Sequence, residues 1–448
     1  MNLLRISLLF VFALGVVSAA WAQDAKPFTL EEAVTYALEQ NNQVKASRFD
    51  VYIAQKQVKE ILASGYPQIS GSAQAQYNFN IPQFVLVAEG QDPIAITAGF
   101  PWNTTLGLSV NQLVFDGTFF IGLQASRTFV DLAQISENRT KEQLAYDVSK
   151  AYLTALVSRE RMAVLDANVS RLEELFSETS ALQASGFVEK IDVERLMINL
   201  TNLRVEREKV ARFVETAHDL LKFQMNYPVN EEIRLTESVT DLKAPGLESI
   251  DAASFAIENR LEYQLLRTQI DLENYNTRRF KAGYLPALYA FGSYQFQNQW
   301  DGSTEANKFP GINFPVTVAG LQLNVPIFDG FRKQQQIQTS QLNIKKLELQ
   351  MSTFENAAQL ELRTARRNVE NAYASMQTLE ENVALAEKVF RISQTKYKEG
   401  VGSSLEVNDA ETQLKESQAN LLNATLEYLL ARLDLQKALG QFSPDAAE

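Results

Sequence analysis

Two hydrophobic periods alternate along the chain, and each occurs in both halves. From 68 to 79 the period is two: Ile69, Gly71, Ala73, Ala75, Tyr77 and Phe79 share one side, and Gln68, Ser70, Ser72, Gln74, Gln76 and Asn78 share the other. Leu106, Leu108 and Val110 oppose Gly107, Ser109 and Asn111 in the same way. In the second half Tyr294 and Phe296 oppose Ser293, Gln295, Gln297 and Gln299, and Leu321, Leu323 and Val325 oppose Gln322 and Asn324. Strict alternation predicts strands, at about 66–79, 104–115, 284–300 and 316–328. None of the polar faces carries a charge. Runs of this length, with Tyr66, Tyr77, Trp102, Tyr284, Trp300 and Phe314 among them, suit a membrane barrel with lipid outside and water inside. A soluble antiparallel sheet with one wet face shows the same period.

The second period is helical. Neither Gly nor Pro occurs between Gly122 and Gly186, or between Gly330 and Gly400. Each gap is long enough for a helix of about 100 Å at 1.5 Å per residue. A helix that long needs partners along its length, and apolar residues supply the seam. In the first half the seam is Met162, Leu165, Val169, Leu172 and Phe176. In the second it runs from Ile344 through Met351, Ala358, Leu362, Val369 and Met376 to Phe390, spaced three and four with one extra four at Ala358–Leu362. Val407, Ala410, Leu414, Ser417, Leu421, Ala424, Tyr428, Ala431, Leu435 and Ala438 keep heptads on a return helix. A second stripe, Leu422, Leu426, Leu429 and Leu433, predicts two neighbours rather than one. A plain two-stranded coiled coil is the simpler reading of the helices alone. Helices are expected at about 118–184, 189–226, 330–398 and 405–439.

The halves repeat one plan. Segments starting at 31, 64, 115 and 184 have counterparts starting at 250, 282, 328 and 398, offsets of 219, 218, 213 and 214 residues. Order is kept while loop lengths drift, as in a duplication rather than a short-period solenoid. The join falls within 226–248, where Pro228, Pro245 and Gly246 break the helical pattern. The chain divides into a first repeat at 23–235 and a second at 236–448. Phe115-Asp116-Gly117 and Phe328-Asp329-Gly330 are expected where a strand ends and a long helix begins: Gly for the turn, Asp as cap, Phe as interfacial anchor.

Composition narrows the reading. Residues 1–22 have the form of a secretory signal: Arg5, an apolar core and Ala20-Trp21-Ala22 before Gln23. A membrane anchor is the competing reading of that segment. No later run reaches the ~20 apolar residues of a spanning helix. A net charge of −12 argues against nucleic acid. With no Cys and His218 as the single histidine, thiolate and most imidazole chemistry is excluded. His218, among Phe213, Ala217 and Leu221, reads as a packing residue. Asn103-Thr104-Thr105 matches a glycosylation acceptor only weakly. No nucleophile–base pair, phosphate loop or metal cluster is present in the pattern, so no catalytic role, cofactor or metal is expected.

In the order of these features, with "TLEEAVTYALEQNNQV", "GYLP", the two "FDG" corners and "YKEGVGSSLEVNDA", the chain resembles the TolC family of outer-membrane efflux proteins over essentially Gln23–Gly440. The resemblance implies a mainly α fold with β strands. Long antiparallel helical hairpins would form an α-barrel, and four strands per chain would enter a 12-stranded β-barrel shared by a homotrimer. It implies an exit duct in the outer membrane of a Gram-negative bacterium, extending into the periplasm. The duct would meet a periplasmic adaptor protein and, through it, an inner-membrane transporter of a tripartite efflux or type I secretion system. By the same resemblance Gly186, Gly400 and Gly402 lie in adaptor-docking hairpin tips, and Tyr397, Glu406, Asp409 and Asp192 match pore-constriction positions. Gly402 departs from the pattern, since some members carry a latching Arg there, so Lys190 or Arg195 becomes the candidate partner of Asp192. An exported coiled-coil scaffold without a pore is the alternative; it leaves the four strands unexplained.

Overall fold

The structure, a computed structural model, describes residues 25–87, 90, 92–97, 99–243, 255–300 and 312–441. The expected signal at 1–22, and Pro245 and Gly246 of the expected join, lie outside them. In chain order the elements are β1 (Lys26–Phe28), α1 (Leu30–Gln40), α2 (Asn42–Ala63), β2 (Gln68–Tyr77), β3 (Gln83–Leu86), β4 (Ile94–Thr97) and β5 (Trp102–Phe115). Then come α3 (Gly117–Ala184), α4 (Lys190–Met225), β6 (Ile233–Leu235), α5 (Val239–Lys243), α6 (Leu261–Ala282), β7 (Ala287–Trp300), β8 (Ile312–Asn324), α7 (Arg332–Lys398) and α8 (Ser404–Ala438). No helix among the described residues is long and apolar enough to cross a membrane.

One compact unit, residues 48–136 and 262–353, holds an antiparallel sheet in the order β2-β5-β7-β8. Cross-strand partners share a face. Ile69, Gly71 and Ala73 align with Val110, Leu108 and Leu106, and these with Gly292, Tyr294 and Phe296. That face is apolar and open: Ile69, Leu106, Leu108, Tyr294, Leu321 and Leu323 are exposed. The opposite face stacks Ser70, Ser109 and Ser293, and then Gln74, Thr105 and Gln297. The hydroxyls of Ser70 and Ser109 lie 2.7 Å apart. The edge strand β8 breaks this polarity by placing Phe314, Val316 and Val318 opposite Gln297, Gln295 and Ser293. At one end of the sheet Trp102 stacks on Trp300 at 6.2 Å, with Tyr77 4.8 Å from Trp102.

Two features of this unit differ from the sequence expectation. The last strand covers Ile312–Asn324, several residues before the expected 316–328, because Pro326 removes a donor where the alternation would continue. The two Phe-Asp-Gly corners are therefore not equivalent. At the first, Phe115 ends β5, Gly117 opens α3, and the Asp116 carboxylate accepts from the Thr118 N–H at 2.7 Å. At the second, Phe328-Asp329-Gly330 lies beyond the strand in the approach to α7. There Asp329 accepts from the Lys333 N–H at 3.2 Å, and Gly330 and Phe331 take φ of 66° and 64°. The β3–β4 hairpin, inserted between β2 and β5, was not legible as a separate element.

The second unit, residues 25–47, 137–261 and 354–441 of those described, is helical around two clusters. Thr29 starts α1 with a capping box, its Oγ1 accepting from the Glu32 N–H at 3.2 Å while Glu32 accepts from the Thr29 N–H at 2.8 Å. This sets Ala33 and Ala37 fully inside. β1 pairs parallel with β6, and Tyr152 donates to the Phe28 carbonyl at 3.1 Å. Around this ribbon, Leu156, Leu221, Met225, Val369 and Tyr428 form the larger cluster. Leu165, Leu172, Leu196, Leu203, Phe390, Val407 and Leu414 form the other. Ala358, Ala365, Ala372, Ala424, Ala431 and Ala438 are buried on α7 and α8, so the helices approach through small side chains. Tyr428, 1% exposed and 5.4 Å from the Tyr373 ring, is with Tyr152 the largest fully buried side chain of this cluster. Tyr428→Ala should cost about 3–5 kcal/mol of unfolding free energy in denaturant titration, the range for deleting a buried aromatic ring.

Candidate functional site

The two helical hairpins of the second unit turn by the same device. Gly186, after α3, has φ 79°, and the Phe187 N–H reaches back to the Leu182 carbonyl at 3.0 Å. Gly400, after α7, has φ 72°, and the Val401 N–H reaches the Lys396 carbonyl at 3.0 Å. These are left-handed helix ends that satisfy terminal carbonyls, and an added Cβ at either glycine meets nothing within 4 Å. The requirement is conformational. Gly402 is the opposite case: a Cβ there would lie 2.9 Å from Lys396 Cβ and 3.1 Å from the Lys396 carbonyl carbon. This backbone has no room for an Arg at 402. The next helix is capped by Ser403, whose Oγ accepts from the Glu406 N–H at 3.2 Å.

Polar contacts tie the two hairpins together near these turns. Ser404 donates to Asp192 Oδ1 at 2.6 Å, Lys398 pairs with Glu178 at 3.0 Å, and Tyr397 OH lies 3.5 Å from Thr179 Oγ1. Asn199 donates to Asn408 one to two turns further along. Asp192 thus meets a hydroxyl from the other hairpin. Lys190, one of the two expected partners, pairs instead with Glu194 at 3.0 Å. Tyr397 packs against the smaller apolar cluster. Glu406 and Asp409 are both exposed, flanking the buried Val407 and Ala410 on α8. A spacing of three places them on one helix face.

Sequence reasoning passed over a charged group on the seam itself. Glu411 is 8% exposed, one residue beyond Ala410. Burial pushes its carboxyl up to about 7, partly opposed by Arg171 and Lys415. Arg171 lies over the Phe390 ring at 5.3 Å, and its Nη1 is buried without a hydrogen-bond partner. Lys415 is drawn toward Glu206, 3.5 Å away, which Arg161 also approaches at 3.6 Å. The heptad would have predicted a solvated flank at 411; in the fold it is buried near Arg171 of α3. His218 is half-buried with Nε2 unpartnered, and burial, with help from Lys222 and Arg159, lowers its pKa and keeps the ring neutral. No group of three or more His, Asp or Glu residues that could hold a metal occurs among the described residues.

A four-stranded sheet with one apolar face, joined to paired helical hairpins, defines the class: it is the fold of outer-membrane efflux channels. Solved structures share it across almost the whole chain. VceC of Vibrio cholerae matches with a TM-score of 0.70 at 15% identity, over 92% of this chain and 96% of its own. CusC matches at 0.72 and 15%, over 92% and 91%. Residues 253–441 match the sequence model of the family described as outer membrane efflux protein. Among relatives, the outer membrane protein TolC of Salmonella enteritidis is 21% identical over 342 residues, 75% of this chain and 69% of that protein. The outer membrane efflux protein BepC of Brucella suis is 22% identical over 424 residues, 94% and 88%. The chain is thus similar to these outer membrane efflux proteins, in fold over most of its length and in the family's sequence pattern over residues 253–441.

Glu411 sets a pH dependence with a definite sign. Its carboxyl moves from an ordinary 4.5 to about 7 in the folded chain, so the native state holds the extra proton between those values. Stability is then highest near or below pH 4.5 on this account and falls as pH rises to 7, by on the order of 1 kcal/mol per unit. Glu411→Gln should flatten that slope and raise Tm at pH 8 more than at pH 5. Equal shifts at both pH values would show that the carboxyl titrates normally.

Proposed function

We propose that the protein is an outer-membrane channel, the exit duct of a tripartite efflux or type I secretion system. The observation that carries this reading is the sheet. Its exposed face is apolar, its opposite face over β2 and β5 is polar and uncharged, and β2 and β8 each pair on one side only among the described residues. In hydrocarbon such edges must be closed. Four strands are too few for one chain to close alone, and the smallest membrane barrels have eight. Three copies would give twelve strands in a homotrimer. The similarity to TolC and BepC supports an outer-membrane location for the sheet, with the helical hairpins in the periplasm. The repeats at 23–235 and 236–448 then each contribute two strands and one hairpin of long helices.

In this reading the turns at Gly186, Gly400 and Gly402 meet a periplasmic adaptor protein, which connects the duct to an inner-membrane transporter. Tyr397 and Asp192 hold the two hairpins together through Thr179 and Ser404, the contacts that opening would have to break. Glu406 and Asp409, repeated by threefold symmetry, place six carboxylates around one axis as a cation-attracting ring. The duct has no catalytic role, and passage is driven by the transporter.

Charge on the apolar face tests the membrane assignment. Leu108→Lys and Leu323→Lys should each cost ~2–4 kcal/mol near the bilayer midplane. Trimer yield in outer-membrane fractions should fall steeply in the double variant; normal assembly would sink the assignment. The ring is tested separately in planar bilayers. Glu406→Gln with Asp409→Asn should abolish cation preference and block by multivalent cations while barely changing Tm, because exposed carboxylates contribute little to folding. Unchanged selectivity would place the constriction on other residues.

A further inference from the structure

Just after β8 the chain presents an apolar cluster that the protein leaves open. Ile327, Phe328 and Phe331 are 93%, 74% and 62% exposed. The two rings meet edge to face at 5.4 Å. This contact depends on Phe331 at φ 64°, a conformation that bulky side chains rarely adopt because Cβ crowds the backbone carbonyl. Beside the cluster, α6 and α7 pack closely, with the Thr277 and Ser340 hydroxyls 2.7 Å apart. A groove of about 600 Å³ runs there, lined by Asn276, Arg279, Phe280, Arg332 and Gln335 among others. Arg279 and Arg332 are exposed, and neither forms an ion pair with a described residue. The neighbouring charges are engaged: Lys333 with Asp329 at 3.4 Å, and Glu273 with the amides of Asn276 and Asn343 at 3.0 and 3.3 Å.

We propose that this groove binds an anionic phospholipid of the membrane's periplasmic leaflet. Its phosphate lies between the Arg279 and Arg332 guanidinium groups, and its acyl chains lie over Ile327, Phe328 and Phe331. The inference rests on the reading that the sheet spans the outer membrane. Guanidinium forks match phosphate oxygens in pairs, and the amides of Gln335 and Gln336 in the same groove supply further donors. The cluster follows the last strand directly, at the level where headgroups meet chains, the level that aromatic side chains favour. Basic charge is also sparse at the far end of the sheet, where the connection between β7 and β8 contributes only Lys308. No Lys or Arg occurs between Lys59 and Arg127, which covers β2 and β5 and the loop joining them past the Trp102–Trp300 end. The basic pair belongs to the helix-bearing end.

The test uses the purified full-length protein in detergent, with lipid retention counted by native mass spectrometry. Phosphatidylglycerol should be retained at one molecule per chain, in preference to zwitterionic phosphatidylcholine. Arg279→Gln with Arg332→Gln should weaken phosphatidylglycerol retention about tenfold and leave phosphatidylcholine unchanged. Phe331→Gly, which relaxes the backbone while deleting the ring, should weaken both lipids. Millimolar inorganic phosphate should not displace the bound lipid; displacement would make this a free-phosphate site and overturn the assignment. Equal retention of both lipids, or no loss in the arginine double variant, would also overturn it. Channel activity of the same preparation separates the two readings. Conducting channels without lipid preference defeat the lipid site alone, whereas the absence of any channel defeats the membrane-spanning sheet and this site with it.

Discussion

A helix of 67 or 68 residues holds its form only while one stripe of it stays dry, and the helical unit is organised around that need. The stripes on α3, α4, α7 and α8 meet through alanines at one level and through larger side chains at the next. Tyr152 and Tyr428 fill the space around the β1–β6 ribbon, and Phe390 and Leu414 fill the smaller cluster. Small residues bring the backbones together, and the aromatic rings fix the register between turns. Every polar contact near the hairpin turns depends on this register. Ser404 reaches Asp192, and Lys398 reaches Glu178, only because the seams hold the two hairpins level.

The same seam carries its own weak point. Glu411 occupies a position where an apolar residue would pack without cost, and its environment favours the protonated form. Arg171 lies nearby, but its Nη1 finds no partner, so the charges are only partly compensated. A fully apolar seam would be more stable; a partly satisfied polar one gives way more readily. That places a modest, pH-dependent penalty within the helix contacts themselves, apart from the exposed carboxylates of Glu406 and Asp409.

The sheet obeys a different constraint. Its strands satisfy one another internally, but β2 and β8 expose backbone donors and acceptors that water can serve and hydrocarbon cannot. The uncharged polar face and the open apolar face both suit closure with further copies. The loss of polarity along β8, where Phe314 and Val316 face the Gln side, falls on an edge strand, where a neighbouring copy would change what surrounds it.

Much of this was legible in the chain alone, because period two and period 3.6 place side chains on faces before any tertiary contact exists. The four strands, the four long helices, the seam from Met351 to Phe390 and the turns at Gly186 and Gly400 all follow from local pattern. What the pattern could not supply were contacts between residues distant in sequence. Gly402 looked like the loss of a latch, and only the path of the turn showed a Cβ colliding with Lys396. Asp192 offered two charged partners, Lys190 and Arg195, and took a hydroxyl 212 residues away. The two Phe-Asp-Gly corners read alike, yet one begins its helix at once and the other bends through Gly330 and Phe331 first. Glu411 sits at a heptad position that is normally wet, and tertiary packing makes it dry. Sequence determined the elements because their faces are set by the backbone's own period; tertiary structure decided the partners, because those depend on which faces meet.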